Sequence, residues 1–571
     1  LSNNRYVLYN ITILNKMFTL HYVSNSLKPG DIQPIIPTPL IPSQSFQKNI
    51  QEEKTQTPEI QQLTIQLAEV DKRATVLKQL LSDKRAEELS ERAFEKNGFS
   101  VPYKTLMKMT KDFKPGGLSL ALQNMMLTIM DEDPEKAKKL SHRHWDIMTG
   151  VKIPSNQQFS GRCWMFAGLN ILARQLITVY NLSPDFELSQ SYLFFWHYVE
   201  QYNDLLNLFW YKKELKDPFN EERKLLLDEP LHDGGNWINF LRLIKKYGIV
   251  PKDMYSESYA TKRSSEMQTT LSTMVASDIL KLETLKFKTD NDFNTFRDTR
   301  IKEVVDILCS FMGKPPSEGM IKVETAPPLP TVKLSVKSPL TLFYDINLTA
   351  REITDANNTS IIISKFDIDN QIQLIHDLRE DNRDIDDTLK LSKDKTWYTT
   401  THQERQEEKN LLFNIKDMNK LVDIVLVSLR MRRPVWFACN MNSDVDRRQQ
   451  GMDEKLFRPD LFMPEGYQLK MSKKDRMNYG TAACNHAMLI VGAETEPVVG
   501  MQPQVLAFNV ENSWGKEGPG QGFYKMSREW FVERAYTVVV DRSIIEAVLG
   551  QKIGNGQDLA SAFYPSTDFF G

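Results

Sequence analysis

At 571 residues, with 41% hydrophobic and 26% charged residues and a formal charge of −2, the chain has an ordinary globular composition, which excludes bulk disorder, collagen and small disulfide scaffolds. Lys plus Arg (72) nearly balances Asp plus Glu (74), so the basic excess of a dedicated nucleic-acid binder is missing and nucleic acid is not indicated as a partner. The four cysteines, Cys163, Cys309, Cys439 and Cys484, are far apart and form no C-x-x-C pair, so neither a metal site nor a disulfide framework is expected, no cofactor is implied, and a reducing, cytoplasmic setting fits.

No apolar run reaches the roughly 18 residues of a spanning helix, so no membrane association is expected. Residues 1–60 read as a disordered, targeting or artefactual extension: residues 1–30 carry no acid, and mitochondrial targeting is a minor possibility there. Pro34, Pro37, Pro39 and Pro42 precede a Gln-rich stretch, Ser43 to Gln62, with little to bury, which reads as a linker. Leu63, Leu67, Val70, Ala74, Leu77 and Leu81 then recur at steps of four and three on one face of a helix. The run is short for a free coiled coil, so the face is expected to pack on the chain's own body rather than form a zipper. A helical N-terminal region is expected over 61–144, broken at Pro115-Gly116-Gly117, with His142 and His144 on a solvated helix face.

Residues 145–315 read as a helical half. Gly161 to Tyr180 is apolar nearly all round and therefore central, Leu188 to Asn203 follows, and 260–312 is again helical. Residues 316–425 change texture to short β-like pieces (Val332 to Val336, Ser360 to Phe366) and dense charge, as in an inserted subdomain, with the run Asp377 to Asp387 on the surface. Residues 426–543 read as a β-rich half, with strands at Val435 to Cys439, His486 to Val491, Val505 to Val510 and Tyr536 to Val540, and 544–571 as a C-terminal arm. Helices first and strands second give an α+β fold class.

Cys163 opens the long apolar helix after the turn-like Ser160-Gly161-Arg162, where the helix dipole and a nearby imidazolium would favour a thiolate. A cysteine nucleophile needs a base and a group to orient it. His486 heads an apolar strand, and Asn512, just after the next strand, is placed for an antiparallel return alongside it. Trp514, just beyond, would cover a His486–Asn512 hydrogen bond from water. Gln157, on the loop before Cys163, would aim its NH2 beside the Cys163 amide at a developing oxyanion, with the adjacent Gln158 the competing assignment. Gly518-Pro519-Gly520-Gln521-Gly522 leads into a strand, so it is not a phosphate loop.

These residues carry a resemblance. Gln157 to Trp164, Asn485-His486-Ala487 and Glu511-Asn512-Ser513-Trp514-Gly515 resemble the papain-like cysteine peptidases. Leu188 to Trp196, Asp233-Gly234-Gly235-Asn236-Trp237, Lys246 to Pro251, Pro434 to Phe437 and Val538 to Arg542 resemble their bleomycin hydrolase and aminopeptidase C branch. The resemblance spans about 145–315 and 430–571. It implies a papain-like fold with large insertions, whose helical half carries the nucleophile and whose β-rich half carries His and Asn. Catalysis would fall to Cys163, His486, Asn512 and Gln157. Gly234, Gly235, Asn485 and Trp514 would line the substrate, with Gly571 at the end of an arm lying in the cleft. The implied activity is removal of N-terminal residues from peptides with a free amino terminus, in a homohexamer, with thiolactones or drug amides as further substrates. The tail, Tyr564 to Gly571, departs from the Trp-Asp-Pro-like ending of that branch. An endopeptidase with an open cleft and a catalytically silent oligomeric scaffold are the alternatives.

Overall fold

The computed structural model of the protein describes residues 58–96, 142–285, 287–323, 332–348, 351–354, 360–363, 367–379, 412–441, 444–456, 471–482, 484–499, 503–550, 552–553 and 560–561. The chain divides into two units, Leu1–Gly117 and Leu118–Gly571. The readings for residues 1–57 and for the break at 115–117 lie outside the described residues.

In the first unit, helix α1 (Pro58–Lys96) begins inside the stretch expected to be linker. Pro58 suits that start, since the N–H it lacks would have no intrahelical partner in the first turn. The expected burial of its apolar face is corrected: Leu63, Leu67, Val70, Leu77 and Leu81 are all exposed. Ile65 and Val76, on the opposite side of the helix, are equally exposed, so the apolar side chains are spread around the helix rather than gathered on one face.

In the second unit a helical layer comprises α2 (Cys163–Tyr180), α3 (Gln190–Tyr211), α4 (Trp237–Tyr247), α5 (Ser265–Thr284) and α6 (Asp290–Met312). Local chemistry sets their ends. Ser189 caps α3 by accepting the Tyr192 N–H, Asn236 with Asn239 and Thr289 with Asp292 form reciprocal capping boxes on α4 and α6, and Asn181 closes α2 in the left-handed region at φ 48°.

The other layer is an 11-stranded mixed sheet. Its strands are β1 (Ile147–Met148), β2 (Gln371–Ile375), β3 (Leu412–Asn414), β4 (Val435–Cys439), β5 (Val445–Asp446), β6 (Gly451–Met452), β7 (His486–Glu496), β8 (Gln504–Glu511), β9 (Phe523–Ser527), β10 (Ala535–Asp541) and β11 (Ala560–Ser561). They lie in the order β11-β3-β2-β10-β4-β7-β8-β9-β6-β5, with β1 added to β7. The pairs β2–β3 and β6–β9 are parallel and the rest antiparallel. The central strands β4 and β10 are buried at every residue, as near-continuous apolar runs require. One core joins the two layers, with Trp164 of α2, Trp237 of α4 and Trp436 of β4 at its centre. The α+β expectation holds.

Three boundaries differ from the sequence reading. The segment expected as an insert does contain the pieces Gly319–Val323 paired with Val332–Val336, Arg351–Thr354 paired with Ser360–Ile363, and helix α7 (Pro339–Leu348). It also supplies β2 and β3 to the main sheet and the start of α8 (Met418–Arg430), because the fully buried β2 completes the pairing of β10. Asp377, expected on the surface, is buried and paired with Arg379 at 2.8 Å. His142 and His144 sit in an irregular stretch rather than on a helix, since the chain there runs into β1, which pairs with Gly492 and Ala493 of β7.

Candidate active site

Cys163 is the first residue of α2, and Arg162 before it has no side-chain cap to offer. The Met165 and Phe166 N–H groups donate to Arg162 O at 3.0 Å, so among the first amides of α2 it is those of Cys163 and Trp164 that lack intrahelical acceptors. The Ala487 N–H donates to Cys163 Sγ at 3.4 Å, joining the two halves of the fold across 324 residues of chain. Burial pushes the Cys163 thiol up, while the amides of Ala487, Trp164 and Cys163 itself pull it back. The expectation that the helix terminus would leave a lowered thiol is thus corrected: desolvation of a residue only 8% exposed outweighs the amides.

His486 is the first residue of β7, where pairing with Cys439 of β4 fixes it, and Asn512 directly follows β8. The antiparallel β7–β8 return brings them together, and His486 Nε2 donates to Asn512 Oδ1 at 2.9 Å. The Ser513 N–H donates to the same oxygen at 2.8 Å, so the Asn512 carbonyl is held toward the ring. Nε2 therefore carries the hydrogen and Nδ1 the lone pair. Burial pushes His486 down to about 4, with Asn512 raising it and the Arg447 charge lowering it. The ring is thus a neutral base at pH 7. Trp514 lies on the imidazole with centroids 4.9 Å apart, covering the His486–Asn512 pair.

Gln157 is buried, whereas Gln158 is exposed and turned away in the left-handed region at φ 55°, which separates the two candidates. The Gln157 amide has a fixed orientation. Its Oε1 accepts the Ser513 hydroxyl, and its Nε2 donates one hydrogen to Ser160 O at 2.6 Å, leaving the second for another acceptor.

The loop carrying these groups is clamped from three sides. Arg162, fully buried, forms a bidentate pair with Glu257 at 3.1 and 2.9 Å, donates to Ser160 Oγ at 2.8 Å and lies over Phe194. Burial alone would raise Glu257, but Arg162 and Thr261 hold it below the usual carboxylate range. Asp233 accepts the Gly161 N–H at 3.0 Å, the Tyr198 hydroxyl at 2.7 Å and the Ser264 hydroxyl, and its carbonyl accepts Trp164 Nε1 at 2.9 Å. Glu511, buried beside Asn512, takes Asn170 at 2.8 Å and Arg174 from α2, tying the nucleophile's helix to the strand that positions Asn512.

Gly234 and Gly235 follow Asp233 and lead to Asn236, the cap of α4. A Cβ at Gly235 would fall 2.6 Å from the Trp164 ring, whereas one at Gly234 would meet only His232 Nδ1 at 3.2 Å. The exposed Gly235 backbone thus lies directly on the tryptophan that follows Cys163. Asn485 is exposed, and its Oδ1 accepts the Met441 N–H at 2.9 Å, so this side chain also holds the turn after β4. Gly571 lies outside the described residues. Sequence reasoning did not single out Asp233, Glu257, Ser513 or Arg447. Asp233 adjoins the glycine pair and Ser513 adjoins Asn512, but nothing in the sequence links Glu257 to Arg162, 95 residues away.

A thiol at a helix N-terminus, a neutral imidazole with an oriented lone pair, and a Gln157 amide with one hydrogen to spare form a set suited to nucleophilic acyl transfer. The model of the Peptidase C1-like family matches residues 104–325 and 345–559. Bleomycin hydrolase of Rattus norvegicus is 28% identical over 408 residues, covering 68% of this chain and 80% of the relative. Aminopeptidase C of Lactobacillus helveticus is 27% identical over 449 residues, covering 77% and 89%. The crystal structure of PepW from Lactobacillus rhamnosis superposes with a TM-score of 0.61 at 23% identity, covering 79% of this chain and 95% of that one, and so shares the fold.

Proposed function

The chain belongs to the Peptidase C1-like family, and from that premise we propose that it is a cysteine aminopeptidase of the bleomycin hydrolase and aminopeptidase C kind, acting through an acyl-enzyme. The observation that carries the reading is the convergence of the Cys163 sulfur, the His486–Asn512 pair and the Ser513-anchored Gln157 amide at one junction of helix and sheet.

The Cys163 sulfur attacks the peptide carbonyl as its proton passes to His486 Nδ1. Charge developing on the carbonyl oxygen is taken by the Cys163 N–H and the spare Gln157 N–H. The imidazolium then returns the proton to the leaving amine, and the C–N bond breaks to leave a thioester. Water enters, gives its proton to His486, and releases the acid and the thiol. Asn512, being neutral, orients the ring through both forms without a charge of its own. Gly235 offers open backbone to an extended peptide beside the sulfur.

Removal of N-terminal residues is supported by the relatives' names. The homohexamer and the cytoplasmic setting belong to the same proposal. The latter is supported by four unpaired thiols, and no helix among the described residues is long and apolar enough to cross a membrane. The test is hydrolysis of a fluorogenic aminoacyl amide with a free amino terminus beside its N-blocked form, with Cys163→Ala as blank. Cleavage confined to the free form is expected. Preference for the blocked form would mean an endopeptidase, and no Cys163-dependent cleavage of either would mean a silent scaffold.

A further inference from the structure

Strand β5, the residue before it and the turn that joins it to β6 carry four charged residues, Asp444, Asp446, Arg447 and Arg448, whose pairing is uneven. Asp444 is taken by Arg534. Asp446 accepts the backbone N–H of Arg448 at 2.8 Å and of Gln449 at 3.1 Å and lies 4.0 Å from the Arg448 guanidinium. Both acids are therefore committed. Arg447 is exposed and, among the described residues, has no carboxylate partner. Its guanidinium instead lies on the Trp514 ring, with Cζ 4.6 Å from the centroid. Trp514 is steadied by Tyr524, edge-on at 5.9 Å, and rests on His486.

A guanidinium stacked on an aromatic face keeps its N–H donors directed outward around its edge, in the fork that fits a carboxylate. Its position relative to the substrate follows from the chemistry. His486 hands its proton to the leaving amine, so the leaving half of the peptide lies along the wall formed by His486 and Trp514. Arg447 lies on the Trp514 of that wall, and its charge is already felt at His486.

We propose that Arg447 selects peptides bearing a carboxylate just beyond the scissile bond, making it a specificity-determining residue on the leaving-group side. The carboxylate has two sources, an acidic side chain in the first residues of the leaving peptide or the free C-terminus of a dipeptide. This rests on the acyl-transfer reading above and deepens it by naming the substrate class.

The test compares kcat/KM within two matched pairs: alanyl-glutamate amide against alanyl-glutamine amide, and alanyl-alanine against its amide. Each pair is run with the full-length protein, with Arg447→Gln and with Arg447→Lys, after circular dichroism shows that each is folded. Using the ratio within one enzyme cancels any general change in activity. The wild type should favour the carboxylate member of at least one pair about fivefold, the size of an exposed charge pair. The pair that shows the preference identifies the source. Arg447→Gln should bring that ratio to about one, with Arg447→Lys between, since an ammonium cannot make the planar fork. Ratios near one in the wild type, or a preference that survives Arg447→Gln, would overturn the assignment. If only N-blocked versions are cleaved, the aminopeptidase reading falls while the same ratios, read on those versions, still judge Arg447. No cleavage of any version overturns the acyl-transfer reading and this proposal with it.

Discussion

Replacement of Gln157 by Ala tests the oxyanion assignment, because the structure says how that amide is held. Its oxygen is occupied by the Ser513 hydroxyl and one of its hydrogens by Ser160 O, so a single N–H remains to meet a developing charge. Losing one donor of this kind costs about 2.7–4 kcal/mol of transition-state stabilisation, or roughly 100- to 1,000-fold in kcat. The ground-state carbonyl carries little charge, so KM should change by less than about threefold. Ser513→Ala acts one step back. It frees Gln157 Oε1 and lets the amide turn over, which should cost about one neutral hydrogen bond, near 1 kcal/mol or fivefold in kcat. Steady-state kinetics on a fluorogenic aminoacyl amide measure both variants, with circular dichroism to establish that they are folded. A Gln157→Ala enzyme within threefold of wild-type kcat, or one whose loss lies wholly in KM, would falsify the assignment.

Two further outcomes follow from the same geometry. Gly235→Ala should be severe and Gly234→Ala mild, because only the first drives a Cβ to 2.6 Å from the Trp164 ring. Overpacking there should cost about 1–3 kcal/mol and lower kcat/KM together with the melting temperature, so equal effects at the two positions would refute the close approach. Burial pushes His197 and His376 down to about 3 and His486 to about 4, against about 6.5 in the unfolded chain. The unfolded chain therefore binds more protons below pH 6.5. Stability is full above that pH and is lost as pH falls toward 4, by roughly 2–3 kcal/mol per histidine at pH 4.5. Urea midpoints should fall between pH 7 and 4.5, and less steeply in His376→Gln; a midpoint level in the wild type would contradict it.

Much of this was legible because it rests on local patterns. The α2 run from Cys163 is apolar nearly all round and so reads as central, and the strands that carry His486 and precede Asn512 open as apolar runs bounded by polar residues. The spacing of His486 and Asn512 anticipated an antiparallel return, and the 2.9 Å bond between them is its consequence. What escaped reading depends on distant pairing. The sequence around Gln371–Ile375 does not say that its partner is Thr537–Asp541, so two strands of the main sheet were assigned to an insert. Asp233 is not legible because its role depends on Gly161, Tyr198 and Ser264 arriving from elsewhere in the chain. The stripe on α1 has the right spacing for burial, but periodicity on one face does not exclude apolar residues such as Ile65 and Val76 from the other.

The central claim is that Cys163 attacks substrate and that His486 takes its proton. Rapid-quench mass spectrometry with an aminoacyl nitrophenyl ester, whose acylation outruns hydrolysis of the thioester, observes this directly. The account predicts one acyl group, located by digestion on the peptide containing Cys163, formed in the wild type and reduced at least about 100-fold in rate in His486→Ala. An acyl group on Cys439 or Cys484, or turnover that persists in Cys163→Ala, would contradict it.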